Sequence, residues 1–377
     1  MATTVTWEML RELAGFRSDK GCAISLYVDL HPSTNPTPQD VETRLNSRLS
    51  GLEKEADSRS YGGEGKHALR TDLDRIRRWW DDEFDRDGLH GVALFASSRD
   101  NLWRVLALSE SVKDGARLAS DLYLAPLVPL VGRGDGALVA FVNRERGQVF
   151  RLRGGRLEEV VDQTEEQPGQ HDQGGWSQAR YQRHIEKLVK EHLKTVGGEL
   201  DKRVRRTGGL QMVIVAPEEL RGDIEGALSN EAREAIVGWA HAEAHANAER
   251  LLEVARPHLD RARARAEREA VERWQEEVGR NGRATSGWEQ TLEAAADGRV
   301  DTLLVQQGAN SVAYQCPQCG RGSATDGACP LDGRKLERRD DGLDLAVHHV
   351  LAYGGVVVPV EGNTLADAEG IGALLRF

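Results

Sequence analysis

Hydrophobic and polar positions change period several times in the first third of the chain, and each period predicts one kind of element. The run CAISLYVDL, residues 22–30, alternates and leads into a proline-rich turn, which predicts a β-strand. Apolar residues recur at helical spacing from His67 to Phe84, which predicts an α-helix. The short apolar runs GVALFAS and LWRVLAL flank the turn residues SRDN and predict a hairpin. Residues 1–130 are therefore expected to form an α+β domain.

Two further domains follow from the pattern beyond residue 130. Strand patterns around a polar turn, a long helix and the buried-looking strand LQMVIVAP predict a central domain over residues 131–282. Its last helical region, from Glu231 to about Val278, is expected to kink or restart at Pro257, because proline lacks the backbone donor that a helix needs. Helices and strands then alternate over residues 283–377, which predicts an α/β layer. The expected fold class is mixed α/β (α+β) in three domains.

Composition narrows the class of protein. The 377 residues are 39% hydrophobic and 29% charged, as in globular proteins, and apolar runs stay short of the roughly 18 residues that a membrane span needs. The N-terminal residues lack the pattern of a signal peptide, and the four cysteines do not suggest a disulfide framework, so a cytoplasmic protein is expected. A net charge of −11 argues against general nucleic-acid coating, so any RNA contact should come from local basic patches. Neither a membrane nor DNA is expected as a partner.

The run GGWSQARYQRH, residues 174–184, joins a flexible segment to a basic helix. Residues 164–175 carry no apolar anchor, and loops of that kind are often functional. If a helix begins at Ser177, five cationic side chains fall within about 80° of arc, opposite an apolar face. These residues are Arg180, Arg183, Lys187, Lys190 and Lys194. The pattern indicates either an ordinary amphipathic surface helix or a helix whose exposed face binds a phosphate backbone.

The same run resembles the Gly-Gly-Gln segment of the release factors of archaea and eukaryotes, in which Gly-Gly-Gln-Ser precedes a basic helix. The residues that match in register are Gly174, Gly175, Ser177, Arg180, Tyr181 and Arg183. Trp176 takes the place of the glutamine, and Gln178 follows two residues later. This Gly-Gly-x-Ser-Gln arrangement is similar to the bacterial branch of the family. LEAAADGRVDTLLV and GIGALLRF extend the resemblance to the C-terminal domain, which implies a three-domain release-factor-like architecture.

The resemblance implies a catalytic tip that enters the peptidyl-transferase centre of the ribosome. The residues of this tip are Gly174, Gly175, Ser177 and Gln178. Gln178 would orient a water toward the ester that joins peptide and tRNA, while Trp176 would stack on a nucleobase and the five cationic side chains would contact RNA. A helical step of two residues rotates a side chain by about 200°, so activity requires an irregular backbone at Gln178.

The leading hypothesis is a ribosome-associated factor that enters the A site and hydrolyses peptidyl-tRNA in ribosome rescue or quality control. The Asn-Ile-Lys-Ser motif that reads stop codons in the family does not occur in this sequence, so codon-specific termination is not implied. The expected partners are the rRNA of the peptidyl-transferase centre and peptidyl-tRNA, and delivery by a translational GTPase is left open. The alternatives are a non-catalytic hibernation or inactivation factor, a tRNA 3′-end endonuclease, and a scaffold without ribosome contact.

A cysteine cluster with the spacing C-x2-C-x9-C-x2-D lies within residues 316–333 of the C-terminal domain. Paired thiols two residues apart are typical of zinc knuckles, and aspartate can also ligate zinc. The predicted ligands of a structural Zn²⁺ ion are Cys316, Cys319, Cys329 and Asp332. A similar zinc insertion in archaeal release factors supports this hypothesis, and the alternative is a degenerate knuckle held by turns and packing.

Overall fold

The computed structural model describes residues 3, 5–18, 21–35, 37–58, 63–131, 136–153, 155–163, 177–207 and 210–377, and for residues 177–186 it describes the backbone only. The chain divides into two compact units. Residues Met1–Val131 and Ala266–Phe377 form the first unit, and Gly132–Arg265 forms the second, here called the central unit. The division into three domains stays a prediction. The first unit combines the N-terminal and C-terminal residues of the chain, and this grouping does not test the predicted boundaries at residues 130 and 282.

The N-terminal part of the first unit is an antiparallel sheet covered by helices. Its strands follow the order β3-β2-β1-β4: β1 (Ala23–Asp29), β2 (Gly91–Ser97), β3 (Leu102–Leu108) and β4 (Gly115–Ala119). Its helices are α1 (Trp7–Ala14), α2 (Pro38–Ser58) and α3 (Gly63–Asp82). The predicted first strand, hairpin and helix are confirmed, with Gly91 paired to Leu108 in the hairpin. Leucines at helical spacing on α2 and α3 pack against one face of this sheet.

The C-terminal part of the first unit is an α/β layer with a small second sheet. The main sheet has the order β10-β16-β11-β15, with β10 (Ala284–Ser286), β11 (Val300–Gln306), β15 (Val356–Val360) and β16 (Ile371–Leu375). Its helices are α8 (Trp288–Ala296) and α9 (Gly342–Ala352). The small sheet has the order β13-β12-β14, with β12 (Ala313–Gln315), β13 (Gly322–Ser323) and β14 (Glu337–Arg339). The predicted α/β alternation is confirmed.

A shared core and a buried ion pair join these two parts of the first unit. Apolar residues from both parts, such as Leu124 and Leu345, belong to one buried cluster. Asp344 of α9 is fully buried and accepts a hydrogen bond from Arg117 Nη1 at 2.5 Å. Its other carboxylate oxygen accepts from the backbone N–H groups of Leu124 and Ala125, at 2.8 and 3.1 Å. The carboxylate therefore has a partner on each oxygen.

The central unit is a five-stranded mixed sheet with helices on both faces. The strand order is β7-β6-β5-β8-β9, with β5 (Leu138–Val142), β6 (Gly147–Arg153), β7 (Arg156–Asp162), β8 (Met212–Val215) and β9 (Ile236–Ala240). The helices are α4 (Ser177–Arg206), α5 (Arg221–Ala227), α6 (Asn230–Glu234) and α7 (Ala248–Gly279), the last of which continues into the first unit. Two separate apolar clusters cover the faces of the sheet, one under α4 and one under α7.

The predicted restart at Pro257 is wrong, because α7 runs through the proline as one helix, and the predicted helical region from Glu231 is interrupted earlier, by β9. Leu251 and Ala255 before the proline and Leu259 after it are buried in one cluster. This packing outweighs the roughly 3 kcal/mol that an interior proline costs a helix. Among the described residues, the helices lack the combination of length and apolar character that crossing a bilayer requires.

Candidate functional site

Helix α4 begins at Ser177, as predicted, and continues for 30 residues. Gln178 therefore lies in the first turn of the helix, so the irregular backbone that activity at this residue requires is absent from the described structure. Residues 177–196 contain neither glycine nor proline, so the chain offers the helix no break there. Gly174, Gly175 and Trp176 lie outside the described residues, as do the side chains of Ser177, Gln178, Arg180 and Arg183.

The described part of α4 has one basic face and one buried face, as predicted. Lys187, Lys190 and Lys194 are exposed, and Lys187 Nζ lies 3.8 Å from a carboxylate oxygen of Glu191. Both partners of this pair are more than half exposed, so the pair contributes little to stability. The buried face consists of Val189, His192, Leu193, Val196 and Leu200. The helix can therefore present its lysines to a phosphate backbone without losing its packing.

The cysteine cluster is built from two turns with the same backbone geometry. The first has the sequence CPQCG (316–320) and the second CPLDG (329–333). In each turn the final glycine donates its N–H to the carbonyl of the first cysteine, at 3.0 and 2.8 Å, and has a φ of 78° or 73°. Glycine adopts this left-handed conformation at low cost. Asp332 thus occupies in the second turn the position that Cys319 occupies in the first, as the spacing C-x2-C-x9-C-x2-D predicts.

The four predicted metal ligands are brought together. One ligand atom from each of the three cysteines and Asp332 lies within 4.8 Å of all the others. Cys319 Sγ is 3.5 Å from Cys329 Sγ, and Cys316 Sγ is 3.2 Å from an oxygen of Asp332. Hydrogen bonds from the backbone N–H of Arg334 and from the Cys316 thiol hold the pKa of the Asp332 carboxyl below its usual value. Three sulfurs and an ionised carboxylate fit the donor set of a tetrahedral divalent metal ion.

Comparison with known proteins shows which proteins the chain is similar to. Residues 123–263 match the family described as bacterial archaeo-eukaryotic release factor family 10. Peptide chain release factor subunit 1 of Archaeoglobus fulgidus is 26% identical over 406 residues, and the alignment covers 100% of this chain and 98% of that protein. The chain is similar to the archaeo-eukaryotic release factors. The predicted resemblance to the bacterial branch of that family is confirmed.

Other release factors are similar over shorter lengths or more distantly. The Methanopyrus kandleri peptide chain release factor subunit 1 is 27% identical over 212 residues, which cover 54% of this chain and 51% of that protein. This chain thus matches about half the length of that relative. The crystal structure of the archaeal translation termination factor aRF1 is 18% identical and covers 99% of both chains, with a TM-score of 0.27.

The region that matches the release factor family contains one of the two predicted sites. Residues 123–263 include the whole of the Gly-Gly-x-Ser-Gln segment and α4, whereas the cysteine cluster at 316–333 lies outside them. The segment and the basic helix are therefore part of the matched domain. The support for the metal site comes from the geometry of the cysteine cluster and not from the family match.

Proposed function

We propose that this chain is a ribosome-associated, release-factor-like protein that enters the A site of the ribosome. The observation that carries the proposal is the exposed basic face of α4, which follows the Gly-Gly-x-Ser-Gln segment inside the family-matched region. Lysines at 187, 190 and 194 fall on one side of a helix that is packed on the other, so they can reach successive phosphates of an RNA backbone. Binding of this kind releases counterions and weakens steeply as salt is added.

The proposed reaction is hydrolysis of peptidyl-tRNA in ribosome rescue or quality control. A water attacks the ester carbonyl, the bond between the acyl carbon and the ribose oxygen breaks, and the products are the free peptide carboxylate and a tRNA hydroxyl. For this reaction the first turn of α4 unwinds so that Gln178 orients the water, and Gly174 and Gly175 allow the backbone to approach the ester closely. Positioning and electrostatics suffice because the ester is already activated, so the chain need not supply a His, Asp or Cys base.

A second candidate is a non-catalytic factor that occupies the same cavity and keeps ribosomes inactive. The position of Gln178 in the first turn of α4 favours it, because the backbone there is regular helix and the catalytic role requires an irregular one. In this case the chain binds ribosomes and blocks translation but leaves the ester intact.

Peptide release from purified ribosomes tests these two functions. Ribosomes that carry a labelled peptidyl-tRNA are mixed with the chain, and released peptide and tRNA length are followed on a gel. We expect the natural chain to release peptide and Gln178→Ala to slow release by roughly 100-fold, as for loss of a group that positions the transition state. The matched control, Gln182→Ala, makes the same change four residues later and should keep the natural rate.

Each other result of this assay has a distinct meaning. Release by Gln178→Ala at the natural rate contradicts the catalytic role of Gln178. Inhibition of translation without released peptide supports the non-catalytic factor. A shortened tRNA identifies an endonuclease and contradicts both candidates.

We also propose that Cys316, Cys319, Cys329 and Asp332 hold a structural Zn²⁺ ion. The support is the matched pair of turns and the convergence of four ligand atoms within 4.8 Å. The four ligands complete a tetrahedral site and leave no open position for a substrate, so the ion would stabilise the small sheet rather than catalyse a reaction. Delivery of the chain by a translational GTPase stays an open prediction.

A further inference from the structure

The small sheet β13-β12-β14, whose connecting loops contain the cysteine cluster, has little apolar surface to bury. Its three strands are only two or three residues long. The apolar cluster around the thiols consists of Cys316, Cys329 and Leu336, with Tyr314 packed against it. So small a core does not offset the conformational entropy that is lost when the sheet becomes ordered. A metal ion bound by the cysteines would supply the missing stability, because metal binding and folding occur together in small metal domains.

Arg339 joins this small sheet to the N-terminal part of the first unit. It is the last residue of β14, and its two terminal nitrogens lie 2.9 and 3.2 Å from the two carboxylate oxygens of Asp121. The two side chains are only 13% and 15% exposed. Two charge-assisted hydrogen bonds side by side in a mostly buried place make a strong and directional contact. The position of β14 therefore determines whether Asp121 keeps this partner.

Asp121 belongs to an ion network of two arginines and two carboxylates. Arg117 Nη2 lies 3.4 Å from Asp121, and Arg117 Nη1 lies 2.5 Å from the fully buried Asp344. Arg339 Nη2 approaches Asp344 as well, at 3.8 Å. If Arg339 withdraws, Arg117 is the one arginine left for both carboxylates among the described residues. Its withdrawal is costly, because the remaining charges stay buried without full compensation.

Gln315 connects the metal ligands to Arg339 directly. Its Nε2 donates a hydrogen bond to the carbonyl of Gly320 at 3.1 Å, and its Oε1 accepts one from Arg339 Nη1 at 2.6 Å. Gly320 closes the turn that holds Cys316 and Cys319. An ordered turn therefore fixes the amide of Gln315, and this amide orients the guanidinium of Arg339.

We propose that metal binding by the cysteine cluster controls how firmly the N-terminal and C-terminal parts of the first unit hold together, with Arg339 as the connecting residue. A bound ion keeps the first turn and β14 ordered, and so holds Arg339 on Asp121. Loss of the ion loosens the small sheet, which withdraws Arg339 and weakens the ion network. This inference rests on the proposed metal site and extends its effect beyond the small sheet.

Amide hydrogen exchange in the full chain tests the proposal, with a sample treated with a chelator compared to one supplied with Zn²⁺. We expect zinc to slow exchange in residues 313–339 by about 100-fold, because the small sheet folds around the ion. Residues 117–125 contain none of the ligands, yet zinc should slow their exchange by about ten-fold through Arg339. Residues 212–215 of β8, in the central unit, should exchange at the same rate in both samples.

Arg339→Gln separates metal binding from its effect on the N-terminal part. Because Arg339 is not a ligand, we expect zinc affinity to stay within about three-fold of the natural value, with residues 313–339 still protected. The protection of residues 117–125 by zinc should disappear. The matched control is Arg338→Gln on the same strand, since Arg338 is 65% exposed and pairs with Asp340, which is 79% exposed. This control should keep both effects of zinc.

Each other result of this experiment has a separate meaning. Zinc that protects residues 313–339 but not 117–125 of the natural chain would overturn the proposal and leave the metal site in place. Failure of the natural chain to bind zinc would overturn the metal site and this inference together. Full protection of residues 117–125 in Arg339→Gln would contradict the role of Arg339. If that variant does not fold, Arg339→Met, which keeps the packing of the aliphatic stem, takes its place under the same expectations.

Discussion

Two buried polar side chains, Asp344 in the first unit and His192 in the central unit, are almost equally hidden from water and differ in what surrounds them. Asp344 is fully buried and receives hydrogen bonds from Arg117 and from two backbone N–H groups. His192 is 1% exposed and receives none from the residues that the structure describes. Hydrogen bonds hold the Asp344 carboxylate in place, whereas packing alone holds the His192 ring among the described residues.

This difference shows how much more firmly hydrogen bonds hold the Asp344 carboxylate than the His192 ring. Arg117 is itself nearly buried, and although its burial alone would lower its pKa, the nearby carboxylates of Asp344 and Asp121 raise the pKa above the usual value. Asp121 is further paired with Arg339 of β14, at 2.9 Å. A connected network of this kind ties residues 1–131 to residues 266–377. The contact between α4 and β6 has no such network at His192.

The largest expected effect comes from removing the satisfied carboxylate. Asp344→Ala leaves the Arg117 charge without its closest partner and leaves two buried N–H groups unpaired, so we expect the first unit to lose about 3–5 kcal/mol of unfolding free energy. Urea unfolding measures the loss. The control is Asp57→Ala, which removes an ion pair with Arg70 whose partners are 58% and 65% exposed, and it should cost less than about 1 kcal/mol. An equal loss of unfolding free energy in Asp344→Ala and Asp57→Ala would show that the buried, hydrogen-bonded carboxylate is no more stabilising than an exposed ion pair.

A second test measures how the stability of the chain depends on pH through the mostly buried side chain of His349. Burial, with a smaller contribution from nearby His348, lowers the pKa of His349 from 6.5 to about 4. The unfolded chain therefore binds one proton more than the folded chain between these values, and stability falls as the pH is lowered from 6.5 to 4. The full difference corresponds to about 3 kcal/mol. His349→Gln should remove this part of the pH dependence in urea unfolding, whereas a variant at the exposed His67, His67→Gln, should keep it. An unchanged slope in His349→Gln would show that His349 is not kept neutral by burial.

A third test measures zinc binding by the cysteine cluster and the contribution of Asp332 to it. Cys316 and Cys329 are buried, and Asp332 completes the cluster from an exposed position. Because thiolate binds zinc more strongly than carboxylate, Asp332→Cys should tighten zinc binding by on the order of ten-fold, and Asp332→Ala should weaken it similarly. Competition with a coloured chelator measures both, and Asp326→Ala in the neighbouring loop is the control. Equal affinity in all four proteins would remove Asp332 from the ligand set.

The sequence was sufficient where short-range pattern decides structure. The alternation at residues 22–30, the hairpin around SRDN and the spacing of Cys316, Cys319, Cys329 and Asp332 are local signals, and the structure confirms the elements and brings the four ligands together. The prediction that fails concerns the region from Glu231 to Val278, where β9 interrupts the helical stretch and packing on the sheet carries α7 through Pro257.

Long-range features were not predictable from pattern. The helical spacing places His192 on the apolar face of α4, but nothing in that spacing shows that its ring lies near Gly147, 45 positions earlier, without a hydrogen-bond partner among the described residues. The pairing of Arg117 with Asp344 spans 227 positions. Such contacts depend on how the sheets and helices pack, which a single sequence does not encode in any local period.

The central claim is that the basic face of α4 holds the chain on the ribosome, and both candidate functions require it. The direct test is co-sedimentation with purified ribosomes over a range of salt concentrations, using the natural chain and the triple variant Lys187→Gln, Lys190→Gln, Lys194→Gln. The charge-matched control changes Lys54, Lys113 and Lys335 to Gln. If the claim is right, the α4 variant binds at least about ten-fold more weakly, with a salt slope smaller by about 2–3, and the control binds nearly as the natural chain does. Equal binding and equal salt slopes in all three proteins would contradict the claim.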